Sequence, residues 1–280
     1  MKKFVALMLA MLMVLSLAAC GQETAAPADE GGEDASNVLI LGTSADYAPF
    51  EFMYPDDSGE MVYGGIDVDV AKYIAEDMGM ELKVENMSFD YLLTSLQKGD
   101  FDMVIAAMEG VGDRLNAADF SDPYYTDMPP MILVKADAAG QYKTLADFDG
   151  KNVGAQAATT KADIVTDDMT GANLVTLALV PDLVNELVYG KVDAVVLDGA
   201  VAMEYAKANP DLIVADASAE LGEAAPYQVA VAKGDPKGLL PGINAAIAKM
   251  QADNAVEAFI ANADALSDVA VEVSADAPAE

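Results

Sequence analysis

From Val38 onward, short apolar runs suited to buried strands alternate with stretches whose apolar residues recur at helical spacing. That alternation confines the chain to an α/β architecture built from strand and helix units. Val38-Leu39-Ile40-Leu41 opens the pattern. Asp67 is placed to cap a helix with the face Val70, Ala71, Ile74, Ala75 and Met78, and Gly79 stands at its end. A strand around Leu82-Lys83-Val84 follows, then a short helix from Asp90 that buries Leu92, Leu93 and Leu96 and stops at Gly99. A strand from Phe101 to Ala106 comes next, and all the connections have ordinary loop lengths.

An internal echo adds a second constraint. Gly99-Asp100-Phe101-Asp102-Met103-Val104-Ile105 matches Gly190-Lys191-Val192-Asp193-Ala194-Val195-Val196 in pattern. Each is a buried strand entered through an Asp after a glycine turn, so the chain reads as two similarly built lobes. Ligands of open α/β sheets sit beyond the carboxyl ends of the strands. Continuing the echo, Ala107 in one copy and Asp198 in the other stand just past those ends. Two lobes that each offer a contact there describe a cleft.

The ends and the composition narrow the function. Lys2 and Lys3 precede an apolar run from Phe4 to Ala19 broken only by Ser16. That run is shorter than the roughly 20 residues that span a bilayer, and it reads as a signal peptide over 1–19. Gly21 to Ser36 is rich in Ala, Gly, Pro and acids and reads as a disordered tether; 269–280 reads as a frayed acidic tail. Cys20 is the sole cysteine, so the exported domain has no disulfide and must rest on its core. With Lys2 and Lys3 gone with the leader, 13 basic residues face 47 acidic ones, a net −34. Such an excess excludes nucleic acid as a partner and disfavours adsorption to anionic lipid. The chain has no histidine, and no calcium-loop spacing occurs, so neither a cofactor nor a metal is expected.

Leu17-Ala18-Ala19-Cys20 resembles the lipobox of bacterial lipoproteins, which implies that Cys20 becomes the lipidated first residue. Four further blocks resemble the family 3 solute-binding proteins of bacterial ABC transporters, the polar amino-acid group. They are Gly42-Thr43-Ser44-Ala45-Asp46-Tyr47-Ala48-Pro49-Phe50-Glu51-Phe52, Gly65-Ile66-Asp67-Val68-Asp69-Val70-Ala71, Asp119-Phe120-Ser121-Asp122-Pro123-Tyr124-Tyr125 and Leu145 to Gly154. Any one is weak; four in order at the proper spacing, within 38–259, are strong. The resemblance implies a type II periplasmic-binding-protein fold: two lobes, two hinge crossover strands and a ligand in the interlobe cleft. Lobe one is expected over 37–133 and 230–268, lobe two over 134–229, and the crossovers near Met131–Lys135 and Tyr227–Lys233. It further implies that the protein hands an amino acid to an ABC transporter permease and touches the membrane through its lipid alone; a monomer is the default expectation.

Residue by residue, the resemblance implies that Arg114, the only arginine, clamps the ligand α-carboxylate, which its planar fork fits bidentately. Thr160, with Thr159 beside it, adds donors from lobe two; read alone, two threonines after a strand are equally a helix cap. Asp198 anchors the α-ammonium, or caps the helix that begins at Gly199. Tyr47 and Phe89 sandwich the ligand side chain, and Ser44 and the carbonyl of Ala107 lie nearby.

Two departures bear on the ligand. Glu109 replaces the hydroxyl residue usual in the family, and it repels a carboxylate unless it turns away, pairs with Arg114 or meets a ligand cation. Ala158 stands where glycine is common. Glu109 and the acidic rim point to a cationic or polyfunctional polar amino acid, with a neutral one such as glutamine as the alternative if Glu109 faces solvent. The same fold hosts dehydratases of prephenate-like acids (the cyclohexadienyl-dehydratase type), where Glu109 with a raised pKa would be a general acid. A sensor input domain would require a membrane span and a signalling domain on the chain, and the sequence carries neither.

Overall fold

Val38 starts a strand whose residues alternate between half-buried and buried, and the units that follow build two sheets of identical plan. The computed structural model describes residues 37–276, without the side chains of Ala139 and of 268–276. The leader, Cys20, the tether and the last four residues expected from the sequence lie outside them. In chain order the first lobe has β1 (Val38–Thr43), β2 (Asp46–Tyr47), β3 (Glu51–Pro55), β4 (Met61–Gly64), α1 (Ile66–Asp77), β5 (Glu81–Asn86), α2 (Phe89–Lys98), β6 (Met103–Val104), α3 (Arg114–Ala117) and β7 (Ala118–Phe120). The second has β8 (Met131–Lys135), β9 (Asn152–Gln156), α4 (Thr160–Asp167), β10 (Asn173–Leu177), α5 (Val180–Val188), β11 (Ala194–Leu197), α6 (Gly199–Ala208) and β12 (Leu212–Val214). The chain then returns to lobe one as β13 (Ala230–Ala232), α7 (Leu240–Ala252) and α8 (Ala255–Asp276).

Lobe one holds the sheet β5-β1-β6-β13-β7 and lobe two the sheet β10-β9-β11-β8-β12. In each, three parallel strands are followed by one that runs against them, β13 or β8, and by an edge strand, β7 or β12, that points with the first three again. The echoed segments, β6 and β11, take the same central place in their sheets. The fold is therefore the two-lobed α/β arrangement, and β2, β3 and β4 form a small separate sheet at the edge of lobe one.

Two local details differ from the sequence expectation. α1 begins at Ile66 with Gly65, at φ 114, as its cap, and Asp67 lies buried inside the first turn. A Cβ at Gly65 would sit 2.1 Å from the Phe50 carbonyl oxygen, so glycine is required there. Asp67, freed from capping, accepts from the Ala107 N–H at 2.6 Å and the Tyr124 hydroxyl at 2.7 Å. Second, β8 lies inside the lobe-two sheet, since Ile132, Leu133 and Val134 are fully buried and an apolar strand of that kind belongs in a sheet centre.

Between the two sheets, Tyr227 bridges both Tyr125 and Glu109 through the backbone. Around it Phe50, Tyr124, Tyr125 and Tyr227 pack ring to ring, with Phe50 edge-on to Tyr227 at 5.2 Å. α8 also touches both lobes, for it packs on β3 and α1 and meets α6 of lobe two. There the Ser267 hydroxyl donates to Glu204. The helix reaches Asp276, beyond the point at which the tail is expected to begin. Among the described residues no helix is long and apolar enough to cross a membrane.

Candidate functional site

The carboxyl ends of β1, β6, β9 and β11 meet at one cavity. It is lined by Ser44, Asp46, Tyr47, Glu51, Phe89, Ala107, Glu109, Arg114, Thr159, Lys161 and Asp198, among others. Every ligand-binding candidate of the sequence except Thr160 borders it, and Thr160 reaches it through Glu109.

Arg114 sits at the start of α3, where its guanidinium Nη1 donates to Glu109 Oε2 at 2.8 Å and to the Glu109 carbonyl at 3.0 Å. Nη2 crosses the cleft to the Ala158 carbonyl at 3.1 Å. The Phe89 ring lies under it at 5.3 Å, a cation–π contact. Neither Asp113 nor Asp119 takes the arginine; Asp119 binds Lys233 instead.

Glu109 does not face solvent. It is 5% exposed and accepts from Arg114, from Thr160 Oγ1 at 2.9 Å and from Lys161 Nζ at 2.8 Å. Burial pushes its carboxyl up, but the charges of Lys161 and Arg114 outweigh burial and hold it at about 2. Its surroundings thus lower the Glu109 carboxyl, the opposite of the raised value that a general-acid role calls for.

The two threonines divide the alternatives between them. Thr159 caps α4, accepting from the Ala162 N–H, and donates to the Gln156 carbonyl. Thr160, one residue on, turns to Glu109. Asp198 occupies the cap position of α6, yet its side chain makes no capping bond. Its two oxygens face the cleft, accepting from Lys161 Nζ at 2.7 Å and from the Tyr47 hydroxyl at 2.7 Å. Ser44 donates to Asp46 Oδ1, whose other oxygen accepts from the Val180 N–H of lobe two.

Sequence reasoning missed Lys161, Asp46 and Glu51. Lys161 directly follows the two threonines in a chain with few cations, and that was its signal. Burial draws its ammonium down, but Asp198 and Glu109 more than offset this and raise it above its ordinary value. Asp46 is pushed by burial up to about 6, against the Val180 and Ser44 hydrogen bonds. Glu51 is 1% exposed and its Oε2 accepts no hydrogen bond; burial, then the charge of Asp67, to whose carboxylate the protonated acid donates, pushes it well up. Thus four carboxylates line the cavity against two cations.

Two of the four non-glycine residues with positive φ among the described residues lie here. Ala107 and Ala158, on opposite sides of the cleft, have φ of 44° and 61°, the left-handed region that L-residues disfavour. No cluster of metal-ligating side chains occurs among the described residues.

Comparison with known proteins matches this geometry to a family. The model for bacterial extracellular solute-binding proteins, family 3, matches residues 39–262. The arginine-binding extracellular protein ArtP of Bacillus subtilis (strain 168) is 35% identical over 225 residues, 79% of this chain and 83% of that protein. The L-cystine-binding protein TcyJ of Escherichia coli (strain K12) is 31% identical over 225 residues, covering 79% and 80%. A solved amino acid ABC transporter substrate-binding protein from Streptococcus pneumoniae bound to L-arginine is 35% identical with a TM-score of 0.77, covering 82% of this chain and 95% of that one.

Proposed function

We propose that this chain, which belongs to the family 3 bacterial extracellular solute-binding proteins, captures a cationic amino acid between its lobes and delivers it to an ABC importer. The observation that carries the choice of ligand is the charge balance of the cavity: four carboxylates, of which Glu51 and Asp46 have no cationic partner among the described residues, against two cations. A buried carboxylate without a counter-ion is costly. A solute ammonium or guanidinium beside Glu51 supplies the missing charge and returns the group to its ionised form. Glu109, by contrast, already has Lys161 and Arg114, so the cation preference falls on Glu51 and Asp46.

In this reading Arg114 receives the solute carboxylate, Asp198 its α-ammonium, and Tyr47 and Phe89 flank its side chain. Each charge-assisted hydrogen bond is worth about 1.5–3 kcal/mol, so a few of them supply the ~8 kcal/mol of micromolar affinity. The arginine-binding relative and the arginine-bound structure support the reading. The similar proteins are transport binding proteins, and Glu109, ionised and doubly paired, gives the dehydratase reading no acid.

The reading extends to the ends of the chain, with export, lipidation at Cys20 and action as a monomer; labelling with a palmitate analogue, lost in Cys20→Ala, tests the anchor. A thermal-shift screen against the amino acids tests the ligand, because a solute that binds only the folded state raises the melting temperature. Arginine, lysine or ornithine should give the largest shifts. A larger shift with glutamine, or none with any amino acid, would reject the cationic reading.

A further inference from the structure

The acidic anchor of the cleft is already held by a cation that belongs to the protein. Lys161 projects from the first turn of α4 and is 5% exposed. Its Nζ donates to Asp198 Oδ1 at 2.7 Å and to Glu109 Oε1 at 2.8 Å. Asp198 belongs to lobe two and Glu109 to lobe one, so a single ammonium ties the lobes together at the cavity. The space left beside it is about that of one water molecule. An incoming ammonium directed at Asp198 therefore meets Lys161 first.

We propose that Lys161 is an internal competitor for the solute's ammonium group, and that the competition sets which amino acids the cleft accepts. The inference rests on the reading that the cleft takes an amino acid, and it names the residue that sets the threshold for binding. A neutral amino acid that displaces Lys161 gives Asp198 one ammonium in exchange for another. The exchange gains little at Asp198, while Glu109 loses one of its two cations and meets the solute's own carboxylate. A cationic amino acid bears the same loss but places its second charge beside Glu51 and Asp46, which pair with no cation among the described residues. The cost is common to all solutes and the gain is not, so the lysine sets a threshold that a solute with a second charge clears most readily, while the ratio between solutes rests on Glu51 and Asp46. A closed arrangement that dominates tenfold also weakens every apparent affinity tenfold, and removing its tie restores that factor.

The experiment compares the full-length protein with Lys161→Gln, which keeps much of the reach without the charge, and Lys161→Arg, which keeps the charge. L-arginine and L-glutamine are titrated calorimetrically into each. Small-angle scattering without added amino acid reports the lobe opening, and circular dichroism checks that each variant is folded. Lys161→Gln should bind both L-arginine and L-glutamine at least about tenfold tighter than the parent, with their ratio kept, and scatter as a more open molecule. Lys161→Arg should retain the parental affinities. Parental binding of arginine with no tightening for either amino acid in folded Lys161→Gln would overturn this inference alone. Binding of neither amino acid by any of the three proteins would overturn the amino-acid reading itself.

Discussion

The Tyr47 hydroxyl of lobe one and the Asp198 carboxylate of lobe two are hydrogen bonded at 2.7 Å, and the same phenol oxygen accepts from the Asp198 N–H at 3.1 Å. This reciprocal pair sits at the carboxyl end of β11 and links the lobes through the group assigned to the solute's ammonium. Tyr47→Phe keeps the ring beside the solute and removes only the oxygen. Hydrogen bonds to charged groups are worth about 1.5–3 kcal/mol, so solute affinity should fall about tenfold or more. Calorimetric titration of the variant checks this, and an unchanged affinity would remove Tyr47 from the account.

Glu51 makes opposite demands on stability and binding. Its Oε2 is buried without a hydrogen-bond partner, so Glu51→Gln should raise the melting temperature at neutral pH by relieving a buried acid. The same change should weaken arginine binding by about 2 kcal/mol, at the low end for truncating a buried charge pair. Thermal melts and titrations of one preparation measure both, and a variant that loses neither affinity nor selectivity would move the cation site away from Glu51.

Acidity should stabilise the protein before it harms it. Burial raises Asp46 and Asp67 from 3.8 to about 6. Between those values the folded state binds more protons than the unfolded one, so their contribution is full below 3.8 and is lost as pH rises through about 6. Glu109 acts in the other sense: it lies at about 2 against an ordinary 4.5, so its stabilisation holds above 4.5 and is lost as pH falls toward 2. The excess of acidic charge reinforces the first trend. Melting temperature should rise from pH 7 to about 5 and fall again in stronger acid. Asp46→Asn should flatten the rise; a steady decline from pH 7 to 5 would contradict the assignment.

Ala158 holds φ at 61° while its carbonyl accepts from Arg114. The left-handed conformation costs an L-residue about 1–2 kcal/mol, and Gly returns about 0.4–1 kcal/mol of that through the freer unfolded chain. Ala158→Gly should therefore stabilise the protein by about 0.5–1 kcal/mol and leave the Arg114 contact in place. Chemical denaturation measures the change, and destabilisation would show that the methyl group of Ala158 contributes packing that outweighs its strain.

The sheet plan was legible because β6 and β11 carry nearly the same pattern, and period and glycine turns mark their limits. The helix start at Ile66 was not, since Asp67 looks like a cap and only the close approach of Gly65 to Phe50 reveals that it is buried for another purpose. The placement of Arg114 and Asp198 at one cavity was legible through motif position and strand ends. Lys161 escaped because a lysine in a helix's first turn ordinarily points to water. Its burial depends on two carboxylates far from it in the chain, Glu109 and Asp198. Such a pairing has no local signature.

The most direct measurement is a calorimetric titration of L-arginine into the purified protein and into Arg114→Ala. The account predicts a micromolar or tighter complex with the parent, weaker binding of L-glutamine, and a loss of about 2–5 kcal/mol in the variant. Equal affinity of parent and variant for arginine, or a parent that prefers glutamine, would contradict it.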